Sequence, residues 1–127
     1  MCRQILSQTF ARGRITLLRK MVTARAAQEG LAGRRLEDFV VAVNEVTTNA
    51  VLHGGGGGRL RLWWQHGRLW CEVADEGPGL PPGWSTASPP PTAFEAGGRG
   101  LWLTRLLCEQ LTIVSGPGGT TVTFAAS

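Results

Sequence analysis

Apolar positions recur along the chain with two different periods, and the change from one to the other outlines the elements. Ile15, Leu18, Met21 and Val22 fall at helical spacing, and Gly30 offers a stop. Leu36, Phe39, Val40, Val43, Val46 and Ala50 repeat the helical period and predict a second helix over residues 34–53. Its start lacks a Ser, Thr or Asp cap, so that boundary is soft. The period then becomes two. Arg59, Leu60, Arg61, Leu62 and Trp63 alternate polar and apolar, as a half-buried strand does. His66-Gly67 supplies a turn, and Leu69, Cys71 and Val73 form one face of a paired strand ending at Asp75. A short strand is expected over residues 4–10. The Pro-, Ser-, Thr- and Gly-rich stretch 81–97 reads as a loop, and a helix follows over 100–110. Strands over 111–115 and 120–125, joined by Gly-Pro-Gly-Gly, close the chain. The five glycines Gly54 to Gly58 end the second helix and read as a flexible connector.

This order predicts an α+β fold: a two-layer α/β sandwich with helices on one face of a mixed or antiparallel sheet. At 127 residues the expectation is a single domain over 1–127, large enough to bury about two-thirds of its unfolded surface. Trp63 and Trp64 are adjacent on a strand and must face opposite sides of it. Core packing is the simpler role for the tryptophans, with an interface face as the alternative.

Composition narrows the setting. No apolar run approaches the ~20 residues that span a bilayer. The segment MCRQILSQTFARGR has no apolar h-region, so neither a secretory signal nor a membrane partner is expected. Cys2, Cys71 and Cys108 are odd in number and lack CxxC spacing, which argues against disulfides or zinc and for a cytoplasmic location. The net charge of +4 is uneven, with eight basic residues and the single acid Glu29 up to Arg35. That asymmetry suits an acidic protein partner, nucleic acid, or simply a solvated Arg-rich surface. No aromatic residues interleave the basic ones, so direct nucleic-acid binding is not expected.

Three segments carry candidate chemistry. Glu45, Asn49 and His53 lie four residues apart, and each step turns about 40° around the helix. A carboxylate can take a proton from an attacking hydroxyl, and an amide oxygen can ligate Mg²⁺. Taken alone, they also describe an ordinary polar helix face. Asp75-Glu76-Gly77-Pro78-Gly79 follows a strand. Its carboxylate can accept from an exocyclic amine, and its glycines permit a tight turn beside a flat ring. Taken alone, it is also an ordinary turn. Gly97-Gly98-Arg99-Gly100-Leu101 opens a helix, whose free N–H groups and dipole suit phosphates. The same residues could be a hinge. GxxxxGK[ST] and GxGxxG are both absent.

In combination and in this order, the segments resemble the GHKL (Bergerat-fold) ATPases, which include histidine kinases and gyrase. ExxxNAxxHG reads here as Glu45, Asn49, Ala50, His53 and Gly54; DxGxG as Asp75, Gly77 and Gly79; GxGL as Gly98, Gly100 and Leu101. The resemblance spans about residues 12–125. Within that superfamily the chain is similar to the stand-alone bacterial anti-sigma factor serine/threonine kinases. It shares NAxxHG at the helix end, a short loop between the second and third boxes, Gly-Arg-Gly-Leu before an amphipathic helix, and one final hairpin. No dimerisation hairpin with a phosphoacceptor histidine is present, which argues against a complete sensor histidine kinase.

The resemblance implies a histidine-kinase-like ATPase fold and an ATP and Mg²⁺ site. Glu45 would be the general base and Asn49 the metal ligand. His53, Asp75, Gly77, Gly79, Gly98, Arg99, Gly100 and Leu101 would contact the nucleotide with Asn49. The 81–97 loop would be a lid. The implied partners are a sigma factor, held inactive, and an anti-anti-sigma antagonist, phosphorylated on a hydroxyl; a homodimer is also implied. Three other readings stand beside it: a nucleotide-binding regulator that sequesters a partner without catalysis, a basic nucleic-acid-binding domain, and a histidine-kinase catalytic fragment. The nucleic-acid reading leaves all three boxes unexplained.

Overall fold

The computed structural model of the chain describes residues 2–80 and 98–127. The order is β1 (Arg3–Ala11), α1 (Ile15–Gln28), α2 (Gly33–His53), β2 (Gly57–Gln65), β3 (Arg68–Ala74), α3 (Gly98–Leu107), β4 (Glu109–Gly116) and β5 (Gly119–Ala125). The strands form one sheet in the order β1-β2-β3-β5-β4, and every neighbouring pair is antiparallel. This resolves the mixed-or-antiparallel alternative. Helices α1, α2 and α3 cover one face, giving the expected two-layer α+β sandwich.

Strand alternation decides which side chains meet the helices. Leu60 pairs with Val73 and Leu62 with Cys71, while Cys71 and Val73 pair in turn with Phe124 and Val122. All six are buried. From α2, Phe39, Ala42, Val43, Val46, Thr47, Ala50 and Val51 pack onto this surface. The Phe39 and Phe124 rings meet at 5.7 Å and 59°. Thr47 is polar yet buried because its hydroxyl donates to the Val43 carbonyl at 2.8 Å, one turn back. Leu18, Val22 and Ala26 anchor α1.

The opposite sheet face carries no helix among the described residues. There Trp63 and Trp70, partners across β2 and β3, stack at 6.1 Å and 10°. Arg61 lies 5.2 Å over the Trp63 ring and pairs with Glu72 at 3.1 Å. Trp64 packs against the core from the other side of β2, as alternation requires.

Several boundaries differ from the sequence reading. β1 runs nine residues, because pairing with β2 extends it at both ends. α3 ends at Leu107, not at 110; Gln110 takes φ 56° at an irregularity that opens β4. The glycine run is also more than a connector. Gly57 and Gly58 begin β2, and a Cβ on either would press into neighbouring main chain: 3.0 Å from Ala11 Cα and 3.2 Å from the Ala74 carbonyl carbon. Residues 81–97, read as a lid, lie outside the described set, Trp84 and Gly97 among them.

Candidate functional site

The three candidate segments come from one helix, one strand end and one helix start. α2 is amphipathic, with its buried stripe on the sheet, so Glu45 and Asn49 sit half-buried at the edge of that stripe. Neither side chain makes a hydrogen bond or ion pair with another described residue. His53, in the last turn, is exposed and likewise without such a partner.

The end of α2 meets the turn after β3 through glycine on both sides. Gly54 caps the helix, its N–H donating to the Ala50 carbonyl at 2.9 Å. Its Cα rests on the Asp75 carboxylate: a Cβ there would lie 2.5 Å from Asp75 Cγ and 2.8 Å from the Ala50 oxygen. A Cβ on Gly77 would lie 2.5 Å from Gly54 Cα. Real atoms do not approach that closely, so a side chain at Gly54 must displace the Asp75 carboxylate and one at Gly77 must displace Gly54 main chain.

Asp75 is oriented by main chain. Its own N–H donates to the Thr120 carbonyl at 2.9 Å. Its Oδ1 accepts from Gly77 N–H at 2.9 Å and from Thr120 N–H at 3.2 Å. Oδ2 has no hydrogen bond to a described residue and faces Gly54. The carboxylate therefore keeps one acceptor oxygen free, with its rotamer fixed through the other.

The β4–β5 turn completes the enclosure. Leu80 N–H donates to Ser115 Oγ at 2.8 Å, and Ser115 Oγ and Thr120 Oγ1 share a hydrogen bond of 2.9 Å. Gly79, at φ 88°, packs on Gly116, and Gly119 packs under Asp75. Ser115, Gly116, Gly119 and Thr120 were not among the sequence candidates. The sequence reading has Gly-Pro-Gly-Gly only as the joining turn and residues 120–125 only as a strand.

Gly98, Arg99 and Gly100 are the first described residues of α3, Gly98–Leu107. Leu101 is fully buried and fastens the start of α3, as described, to the core. α3 packs on α2, which brings the third segment to the same layer as the first.

The donor set fits a magnesium-bound purine nucleotide. A carboxylate oxygen free to accept, with its partner oxygen saturated, matches an exocyclic amine. Glycines without side chains leave main chain as the wall. One free amide oxygen, at Asn49, is a sparse ligand set of the kind Mg²⁺ takes when phosphates and waters supply the rest. Among the described residues no group of three or more His, Cys, Asp or Glu could hold a metal ion by itself.

The buried thiols play no part in this arrangement. Burial pushes the Cys71 thiol well up from its ordinary value, and pushes Cys108 up to about 12. Both stay protonated near neutrality. No helix among the described residues is long and apolar enough to cross a membrane.

Comparison with known proteins agrees with the geometry. Residues 10–126 match the family model for the histidine kinase-like ATPase domain. No curated protein matches the sequence significantly. Among solved structures, the chain is similar to the crystal structure of the RsbU and RsbW domains of Rv1364c from Mycobacterium tuberculosis. That match has a TM-score of 0.71 and 22% identity, over 95% of this chain and 31% of that one. It is also similar to the histidine kinase domain of the blue-light activated histidine kinase EL346 from Erythrobacter litoralis. Here the TM-score is 0.62 and the identity 19%, over 93% of this chain and 67% of that one. The chain thus spans about a third of the first of these structures. At such identities the likeness is one of fold.

Proposed function

The chain belongs to the histidine kinase-like ATPase domain family, and on that premise we propose that it is an ATP-binding anti-sigma factor and serine/threonine protein kinase. In this reading it sequesters a sigma factor and phosphorylates an anti-anti-sigma antagonist. The observation that carries the nucleotide half is Asp75: one oxygen held by Gly77 and Thr120 N–H groups, the other free against Gly54. The kinase half is supported by Glu45, a half-buried carboxylate with no ion pair among the described residues. The anti-sigma half rests on the motif resemblance.

Bound ATP supplies the phosphoryl group, and phosphoryl transfer asks the protein mainly for positioning and charge stabilisation. Asp75 reads the adenine amine. Gly77 and Gly79 keep the base pocket free of side chains. Asn49 holds Mg²⁺, and the main chain of Gly98, Arg99 and Gly100 takes the phosphates. Glu45 accepts the proton of the substrate hydroxyl. The partners are the sigma factor and the antagonist, and the functional unit is a homodimer in the cytoplasm.

The test is phosphotransfer from Mg-ATP to an antagonist candidate encoded beside the protein, read as phosphoserine or phosphothreonine. Glu45→Ala is expected to retain ATP and to lose transfer by about 10²-fold or more, the usual contribution of a positioned base. Undiminished transfer in that variant removes Glu45 as the base. ATP binding with no transfer to any candidate favours the sequestering regulator.

A further inference from the structure

The outer edge of the sheet at β1 is treated differently along its two halves. Arg12 N–H donates to the Gly56 carbonyl at 3.1 Å, which turns Arg12 inward toward β2. By antiparallel alternation Phe10 and Gln8 also turn their main chain inward, and Ser7, Thr9 and Ala11 turn theirs out. In the first half the edge is closed. The irregularity between Gln4 and Leu6 distorts it, and the Arg25 guanidinium donates to the Ile5 carbonyl. These are the usual devices that keep an edge strand from pairing. In the second half neither device is present. Arg14 N–H takes the Ala11 carbonyl, and the Thr9 carbonyl is met only by the neighbouring Gln8 side chain, at 3.1 Å.

The open half borders a groove. Between β1 and the first two turns of α1 lies a cavity of about 290 Å³, lined by Thr9, Phe10 and Ala11 on one side and by Arg14, Leu17 and Met21 on the other. Leu17 is 53% exposed. The groove thus offers an unpaired strand edge along one wall and apolar side chains along the other.

Its charge selects the occupant. From residue 2 to residue 28 every ionisable side chain of the five charged types is basic: Arg3, Arg12, Arg14, Arg19, Lys20 and Arg25. Arg3 is paired with Glu29, and Arg25 is engaged with Ile5. Arg12, Arg14, Arg19 and Lys20 have no ion-pair partner among the described residues. A second copy of β1 would bring the same sign against itself. An acidic strand would be drawn in.

We infer that the open half of the β1 edge, with the groove beside α1, docks an extended acidic peptide strand of a partner protein. Main-chain hydrogen bonds to Ser7, Thr9 and Ala11 give the register, Leu17 and Met21 receive an apolar side chain, and Arg14 pairs with a carboxylate. This is strand addition to a sheet edge. It is independent of the nucleotide site, so either can fail alone.

The test uses the full chain and two N-acetylated nonapeptides of alternating Glu and Val, one unmodified and one N-methylated. The two carry equal charge, and the second is methylated at every internal amide, so that neither of its edges can donate a hydrogen bond. The unmodified peptide is expected to bind in the millimolar range or tighter, by NMR titration. It should slow hydrogen exchange at the Ser7, Thr9 and Ala11 amides at least tenfold at saturation, and leave Gln8 and Phe10, already bonded to β2, unaffected. The N-methylated peptide should bind at least tenfold more weakly, as should a Lys/Val peptide. Thr9→Pro, which removes an outward N–H at a position an edge strand tolerates, and Arg14→Glu should each weaken binding at least tenfold. Both variants should keep wild-type ATP affinity, which shows them folded and separates this result from failure of the nucleotide reading. Equal binding of the N-methylated peptide, protection at other amides, or no binding at millimolar peptide overturns the proposal. So does concentration-dependent protection of the same amides without peptide, since the occupant would then be a second copy.

Discussion

Gly54→Ala tests whether the glycine after α2 is a component of the site or a piece of linker. The backbone there is at φ −106° and ψ 28°, which alanine adopts without strain, so any cost comes from space. The new methyl would sit 2.5 Å from Asp75 Cγ and 2.8 Å from the Ala50 oxygen. The Ala50 carbonyl belongs to the helix and cannot swing away; the carboxylate can. Moving it strains or breaks the bonds from Gly77 and Thr120 N–H to Oδ1, now at 2.9 and 3.2 Å. Hydrogen bonds to a charged group contribute about 1.5–3 kcal/mol each, and overpacking alone costs about 1–3 kcal/mol. The expected loss of stability is therefore about 2–4 kcal/mol, partly relieved if only one bond is lost. A carboxylate that no longer points at the amine should cost about 1.4 kcal/mol or more in ATP binding, tenfold in affinity. Urea unfolding with and without nucleotide, and calorimetric titration of ATP, read the two effects separately. Gly56→Ala is the control. Its φ of 99° carries a left-handed penalty of about 1–2 kcal/mol, but no atom lies within 4 Å, so ATP affinity should not change. If Gly54→Ala matches wild type in both measurements, the enclosure of Asp75 by the helix end is wrong.

Gly77→Ala should destabilise more than Gly54→Ala, because its Cβ meets Gly54 main chain at 2.5 Å and neither backbone can rotate away; urea midpoints give the order. Asp75→Asn keeps an oxygen to accept from Gly77 and Thr120 but places an amide where the free oxygen stood. It should change stability by about 1 kcal/mol or less, weaken ATP binding at least tenfold, and narrow the preference for ATP over inosine triphosphate, by calorimetry. Phe39→Ala removes one ring of the Phe39–Phe124 pair from a fully buried site and should cost about 3–5 kcal/mol. The thiols give a pH prediction. Unfolded cysteine titrates near ~8.5, whereas folded Cys108 holds its proton to about 12. Between these values the unfolded state binds fewer protons, so stability should be level from pH 7 to 8 and fall from pH 9 to 11. With no Tyr in the chain, few other groups titrate there. Under native conditions at pH 8 only exposed Cys2 should react with a thiol reagent.

What the sequence made legible follows from the range of the forces involved. The α2 stripe and the β2–β3 hairpin repeat with a local period, and both stand where the pattern put them. The end of α3 does not, because Leu107 and Leu111 continue the helical period while the chain has already turned at Cys108 to pair Glu109 with Ala125. Pairing across the sheet outweighed the local period. The site divides in the same way. Asp75 and Gly77 are recognisable because a carboxylate and a glycine two residues on make a local hydrogen bond, Gly77 N–H to Oδ1. The second bond to that oxygen comes from Thr120, forty-five residues away, and nothing local to Gly-Gly-Thr-Thr announces it. Gly54 was visible as a helix stop, but what crowds it is the Asp75 carboxylate after β3, twenty-one residues on, together with the Ala50 carbonyl. A glycine run shows where side chains are missing and not which neighbours require that. In this chain the run contains both kinds: Gly56 has open space around it, while Gly54, Gly57 and Gly58 are pressed by main chain or by the Asp75 carboxylate. The site is thus held by long-range contacts between segments that each look like ordinary turns. That is why the order of the three motifs was informative where no single motif was.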